Sequence, residues 1–325
     1  MSQDQLPAPT VSIGLPVYNG ANYLEQTLNS IVSQTYTDFE LIIGDNCSTD
    51  DTAEICETFA ANDPRIRYVR HKKNLGAAAN YNSVFQAAQG KYFKWAAHDD
   101  LLELSYLERC LDYFAKDSDL LLVHPATVVI DEEGNQSHCY LDHLDCADPD
   151  PVKRYARWMM PHHGMCNPVF GLIKQEVMAQ TCLHGDYIGA DRVFLGEIAL
   201  RGRSRAFRET LFLSRVHRQQ SHTAQTNFQD LEWWYRGSKS RRLSFKFWRM
   251  LGEHIRILHR VDLPWRDRLR CYPILGYWAI IRGDRLLREL LIPLHANGQW
   301  TPLARWLAKP FSRSRNGSDQ NKTSC

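Results

Sequence analysis

Short apolar runs and longer amphipathic stretches alternate along the first hundred residues. Val11-Ser-Ile-Gly-Leu-Pro16 is a compact apolar run closed by proline, which predicts a strand entering a turn at 17–20. Leu24, Leu28, Ile31 and Val32 then recur at i, i+4, i+7 and i+8, the spacing of one helix face. Phe39-Glu-Leu-Ile-Ile-Gly44 predicts a second strand ending on Asp45, with Asp50 and Asp51 at the mouth of the next helix. A third strand over 66–69, a turn at Asn74-Leu-Gly76, a helix over 77–89 stopped by Gly90, and a buried strand over 92–97 follow. Leu107, Cys110, Leu111 and Phe114 mark another helix.

Alternation of this kind predicts an α/β fold, a mostly parallel sheet with helices on both faces. Further on, the pattern predicts strands over 120–125 and 127–131, a polar hairpin turn at 132–135 and an acidic surface loop over 142–151. It then gives a strand over 169–173, a helix opened by Gly189-Ala-Asp191 and ended by Gly202, and a last strand over 211–216. Helical patterns resume through 268 and again over 277–291. The expected organisation is a flexible terminus at 1–10, a large α/β domain over 11–225, a helical extension over 226–311 and a disordered tail over 312–325.

Composition narrows the class. The 325 residues are 44% hydrophobic, enough for one large domain or one domain with an appendage. No run approaches the roughly 18 apolar residues of a spanning helix. The first nine residues are polar and lack the charge and apolar core of a secretory signal. Nine scattered cysteines without a CxxC spacing predict reduced thiols in a cytoplasmic protein. The net charge of +2 hides an asymmetry: residues 1–229 carry 20 Lys+Arg against 29 Asp+Glu, and residues 230–325 carry 19 against 8. The basic tail is also aromatic, with Trp233, Trp234, Tyr235, Phe247 and Trp248 among its arginines. Such a segment suits peripheral contact with an anionic membrane; the competing reading is a helical appendage packed on the catalytic domain. No nucleic-acid fold motif is present.

The chemistry concentrates where the strand over 92–97 runs into His98, Asp99 and Asp100. Two acids at the tip of a buried strand are costly unless a cation meets them, and in open α/β sheets the strand tips are where ligands bind. The pattern therefore predicts a divalent metal on Asp99 holding a diphosphate, against the plainer reading of the acids as helix caps. Tyr18 with Asn19, Asp45 and Asp99 end three predicted strands and would meet in one crevice. No GxGxxG follows the first strand, which argues against a dinucleotide fold.

These residues resemble the family 2 glycosyltransferases, which have the GT-A fold. The resemblance covers roughly residues 11–222 and rests on five motifs in order. They are Pro16-Val-Tyr-Asn-Gly20, Ile43-Gly-Asp-Asn-Cys-Ser-Thr-Asp50, Asn74-Leu-Gly76 with Asn80, His98-Asp-Asp100, and Gly189-Ala-Asp191 with Gly202. It implies sugar transfer from a nucleotide-linked donor, UDP above others, to an acceptor hydroxyl with inversion, in polysaccharide or cell-envelope glycan synthesis. It implies a nucleotide-sugar site at Pro16, Tyr18, Asn19, Asp45, Asn74, Gly76, Asn80 and Asp100, with Asp45 on the base. Asp99 would hold Mg²⁺ or Mn²⁺, and Asp191 would be the catalytic base. The acceptor would be a glycan or lipid-linked, and the enzyme cytoplasmic, or peripheral on the inner membrane face. In this chain the usual first acid of the DxD motif falls at Ala97. His98 is a candidate replacement, although the middle residue on a strand would point to the opposite face. His162, His217 and Arg218 are candidate diphosphate or acceptor contacts. Two other functions stay open: a catalytically silent sugar-nucleotide-binding protein, motivated by Ala97, and a nucleotidyltransferase. The latter would be expected to carry a lysine in a glycine-rich loop after the first strand, and residues 14–20 contain none.

Overall fold

The computed structural model describes residues 8–140, 145–159, 166–218, 233–237 and 245–291. β1 (Val11–Val17), α1 (Ala21–Val32), β2 (Phe39–Asp45), α2 (Thr52–Asn62), β3 (Ile66–Arg70), α3 (Ala77–Gln86) and β4 (Tyr92–Trp95) alternate as the pattern predicts. β1 lies between β2 and β4 and is parallel to both, and β2 is parallel to β3. Helices cover both faces of this half, so its strands are nearly continuous apolar runs: all of β1 and all of β2 but Glu40 is buried. The chain leaves β1 toward β2 and β3 on one side and returns to β4 on the other. The carboxyl ends of β1 and β4 consequently flank a crevice at the point where the strand order reverses.

Past β4 come β5 (Leu101–Leu102), α4 (Tyr106–Lys116), β6 (Leu120–Ile130), β7 (Gln136–Tyr140), α5 (Pro151–Met159), β8 (Leu172–Lys174), α6 (Gln175–Met178), α7 (Ala190–Arg201) and β9 (Arg203–Arg215). Here the sheet becomes mixed. β8 runs antiparallel to β4 and β6, while β9 is parallel to β6 and antiparallel to β5. The full order is β3-β2-β1-β4-β8-β6-β9-β5, with β7 on β6. The fold is the α/β, GT-A-like arrangement expected from the sequence.

Three boundaries differ from the pattern. The two strands expected over 120–131 are one, β6, whose register against β9 shifts on either side of Ala126; that irregularity carries the strand past Pro125. The strand expected over 169–173 begins only at Leu172, because Pro168 opens a 3-10 turn over Asn167–Phe170. β9 starts already at Arg203. Its first residues alternate with Ser204 and Ala206 inward, but the outward positions are arginines, which hid the period. Arg203 pairs with Asp117 and Asp119, and Arg205 with Asp145.

The extension folds as α8 (Lys246–Arg260), α9 (Trp265–Ile281) and α10 (Gly283–Leu291). The helix expected through residue 268 is broken at 261–264, where Pro264 caps α9. Tyr155 of α5, Val193 of α7, Met250, Ile257 and Leu258 of α8, and Cys271, Leu275 and Trp278 of α9 form one buried cluster. Fully buried Glu197 adds ion pairs to Arg201 at 2.8 Å and to Arg260 at 2.9 Å. These contacts tie the extension to α7, the helix that carries Asp191. No described helix is long and apolar enough to cross a membrane. Seven of the described cysteines, Cys47, Cys56, Cys110, Cys146, Cys166, Cys182 and Cys271, are free thiols. The segment 312–325 lies outside the described residues.

Candidate active site

A cavity of about 1010 Å³ opens at the carboxyl ends of β1, β2 and β4. Pro16, Tyr18, Asn19, Asn74, Asn80, His98, Asp99, Asp100, Asp191 and His217 all line it. Residues from five separate stretches of the sequence thus reach one space.

One wall is built from asparagines. Asn19 takes a left-handed backbone (φ 50°), and its Oδ1 accepts a hydrogen bond from Thr49 N at 2.8 Å, which fixes the turn after β1. Asn46 donates to Asn74 Oδ1 at 3.0 Å and accepts from Leu75 N at 2.8 Å. Asn80 is nearly fully buried. Its amide donates to Gly44 O at 2.6 Å, pinning α3 to the tip of β2. Gly76 (φ 85°) and Gly237 (φ 67°) meet backbone to backbone; a Cβ on Gly76 would stand 2.3 Å from the Arg236 carbonyl carbon. That approach brings the helical turn 233–236 over the rim, where the Trp233 ring meets Tyr18 edge-on at 6.4 Å.

Asp45 does not line the cavity. It is fully buried, accepts from Ser48 N and Tyr68 Oη at 2.8 Å each, and lies 3.4 Å from Arg70. Both its oxygens are therefore used inside the protein. The next residue, Asn46, faces the cavity instead.

The second wall is the turn after β4. Asp99 is 8% exposed, and its Oδ2 lies 2.8 Å from His217 Nε2. Burial opposes its charge, but His98 and the hydrogen bond to His217 outweigh that and hold the Asp99 carboxyl below the usual range. Asp100 goes the other way: burial first, and the neighbouring Asp99 charge second, raise it well above that range. Arg215, 1% exposed, organises the turn. Its backbone N donates to Asp100 Oδ1 at 2.9 Å, and its guanidinium donates to Asp99 O, Asp131 O, Glu132 O and Gln26 Oε1. Beneath lies fully buried Lys94. Its ammonium donates to the Phe170 carbonyl and sits over the rings of Tyr106 and Phe212, and burial pushes it down to about 7.

Asp191 sits in the first turn of α7, after Gly189 in the left-handed region (φ 89°). Met250 packs against Gly189, so α8 helps set this helix start. Among the described residues no side chain or backbone group hydrogen-bonds or ion-pairs with the Asp191 carboxylate. Tyr81, His184, Tyr235 and Lys246 surround it, and all four line the cavity. The sequence pattern flagged none of these four as site residues, nor Asn46.

His98 lies beyond the end of β4, where strand alternation no longer sets its direction. It lines the cavity, with its ring against Gly20. Ala97 is also in the lining and offers no oxygen. Gly76 shapes the rim rather than the lining. Arg218 is exposed and outside the lining; its backbone N donates to Glu132 Oε1 at 3.0 Å. His162 lies outside the described residues.

The family model for Glycosyl transferase family 2 matches residues 12–181, more than half of the chain. Over 127 residues the chain is 40% identical to a chondroitin synthase of Escherichia coli, which covers 39% of this chain and 18% of that one. The chain thus spans under a fifth of that relative's length. Among solved structures it is similar to S. aureus TarS 1–349 in complex with UDP-GlcNAc, with a TM-score of 0.61 and 13% identity over 88% of this chain and 81% of that one. It is also similar to the mannosyltransferase PcManGT of Pyrobaculum calidifontis in complex with GDP-Man and Mn²⁺, with a TM-score of 0.53 and 17% identity over 92% and 78%. Both likenesses are of fold.

Proposed function

This chain belongs to glycosyl transferase family 2, and on that footing we propose that it moves a sugar from a nucleotide-linked donor, UDP first among the candidates, to a hydroxyl of a glycan acceptor, with inversion. The observation that carries the reading is the shared cavity: the Asp99–His217 pair and Asp191, which has no hydrogen-bond or ion-pair partner among the described residues, line the same space. The relative named as a chondroitin synthase supports a place in polysaccharide synthesis. The neighbours holding UDP-GlcNAc and GDP-Man support a nucleotide-sugar donor.

In this reading the base and ribose lie along Pro16, Tyr18, Asn19, Asn46 and Asn74, with Trp233 closing over Tyr18. Asn46, not Asp45, borders this part of the cavity, and its amide holds Asn74 and Leu75 N in place. Asp99 Oδ2 and His217 Nε2 lie 2.8 Å apart in a mutual hydrogen bond, and exchanging that bond for a cation would give it one oxygen and one nitrogen ligand. Among the described residues no third His, Cys, Asp or Glu forms a metal-holding group with them. Two protein ligands fit Mn²⁺ or Mg²⁺, which keep waters and take the rest of their shell from phosphate oxygens. His217 would thereby supply the ligand that Ala97 lacks. When bound, the cation would stabilise negative charge on the departing diphosphate. Arg215 and Asp100 hold the Asp99 backbone in place for this.

Asp191 accepts the proton of the acceptor hydroxyl as that oxygen attacks the anomeric carbon. The bond from that carbon to the diphosphate oxygen breaks, and the nucleoside diphosphate leaves with the electron pair. One displacement on the face opposite the leaving group gives inversion. The test is a screen of nucleotide sugars with Mn²⁺ and with chelator. Nucleoside diphosphate released from one donor, and suppressed by chelator, is expected. Binding of nucleotide sugars without release would favour a silent binding protein.

A further inference from the structure

We infer that the acceptor carries a negative charge, a carboxylate or a phosphate, held by Arg192 and Lys246 beside Asp191. The inference rests on the sugar-transfer reading and adds the chemical class of the second substrate.

Arg192 follows Asp191 in α7, and Lys246 is the first residue of α8; both line the cavity. Neither side chain hydrogen-bonds or ion-pairs with any described residue. Lys246 lies over the Phe247 ring at 5.4 Å, and Arg285 over the same ring at 5.2 Å. Burial comes first among the causes that lower Lys246. Asp191 and Glu289 act to restore its charge, and Arg192 and Arg285 act against it. Arg282, half-buried at the end of α9, is likewise opposed by Arg285 and Arg192, with Asp284 as the acid that supports it. Glu289 is already engaged by the backbone N–H groups of Phe247 and Trp248. Two cations, Arg192 and Lys246, therefore stand on this wall, with Arg282 and Arg285 outside the lining but near enough to oppose them, and Asp191 is the carboxylate beside them that lines the cavity.

Elsewhere the same helices settle their charges internally. Arg236 and Arg249 share Asp186, Arg256 pairs with Glu253, Arg260 with Glu197, and Arg270 with Asp150. Arg192 and Lys246, on the cavity wall next to the proposed base, have no such acid among the described residues. Bringing like charges together without partners is unfavourable, and a half-buried ammonium beside them adds desolvation. An anionic group on the acceptor would offset both, through charge-assisted hydrogen bonds. The donor wall, by contrast, is built from asparagines and the Asp99–Asp100 turn.

The test measures binding of three oligosaccharides to the full chain with UDP present. They are a uronic-acid oligosaccharide, the same compound after carboxyl reduction, and an oligosaccharide bearing a phosphate ester. One charged compound should bind about tenfold more tightly than the reduced one, the scale of one good charge-assisted contact. Which of the two does so identifies the anion. Lys246→Ala and the surface substitution Arg192→Gln should each erode that preference and leave UDP affinity unchanged. Equal binding of all three by a wild type that binds UDP overturns this inference alone. Variants that weaken UDP instead of the oligosaccharide overturn it too, by assigning the cations to the donor diphosphate. A wild type that binds no nucleotide overturns the transfer reading and this inference with it.

Discussion

His217 Nε2 lies 2.8 Å from Asp99 Oδ2, so the residues just past β9 close onto the turn after β4 across 118 positions of sequence. Tyr23 flanks the imidazole at 4.8 Å between ring centroids. If this pair holds the cation, His217→Asn should raise the Mn²⁺ concentration for half-maximal activity by about 10–100-fold, the range seen when groups that build or orient a metal site are lost. Titrating activity with Mn²⁺ measures it. An unchanged titration would leave His217 a purely structural partner of Asp99.

The contact between Gly76 and Gly237 gives a second expectation. Alanine at Gly76 meets both a positive φ and the backbone of 235–237, so Gly76→Ala should cost about 1–3 kcal/mol of strain or displace the turn that carries Trp233. Nucleotide affinity should fall several-fold. Gly252, inside α8 with open space around it, is the control: Gly252→Ala should stabilise by about 0.5–1 kcal/mol. Thermal melts and UDP titrations of both variants decide, and a Gly76→Ala protein that binds and melts like wild type contradicts the contact.

Lys94 makes a pH-dependent prediction. The fold pushes its ammonium down to about 7, by burial first, with Cys110 and Asp100 acting the other way. Unfolded lysine titrates near 10.4. Between those values the unfolded chain binds the proton and the folded chain does not, so this residue makes stability rise with pH. Below about 7 both states are protonated and the full burial cost is present. Lys94→Met keeps the volume, and the Phe170 carbonyl retains the Tyr106 hydroxyl at 2.9 Å. The variant should be more stable than wild type by about 1–4 kcal/mol at pH 6, and the gap should narrow by pH 9. Urea unfolding at both values measures it; a gap that does not change with pH contradicts it.

The extension presents a further surface. Trp265 (64% exposed), Leu269, Tyr272 and Ile280 (78% exposed) project from α9, and Leu287 and Leu290 from α10, among Arg266, Arg270 and Arg288. Apolar and aromatic side chains interleaved with arginine suit the headgroup region of an anionic bilayer. Sedimentation with anionic liposomes at low salt should carry the protein down, and Trp265→Ser with Ile280→Ser should release it. No binding by wild type at low salt rules the contact out.

The strand tips were readable from the sequence because apolar runs ending in polar residues are a local signal. Asp99 and Asn19, which line the cavity, are read that way, whereas Asn74 enters through the family resemblance. Asp45 was not placed correctly, since periodicity fixes where β2 ends but not which of two adjacent polar residues turns inward to Ser48 and Tyr68. Arg215 and Lys246 left no local signal: each reaches the site through tertiary packing, of β9 against β5 and of α8 against α7. β9 itself was shortened by its arginines, whose charges are absorbed by aspartates far along the chain.

The most direct test compares turnover and nucleotide affinity on one sample of Asp191→Asn. This carboxylate lines the same cavity as the Asp99–His217 pair, with no hydrogen-bond or ion-pair partner among the described residues. Loss of the base should lower turnover of a competent donor by about 10²–10⁴-fold, with UDP and Mn²⁺ binding as tightly as in wild type. Turnover retained in Asp191→Asn, or nucleotide binding lost together with it, would contradict the division of the cavity into a donor wall and a base.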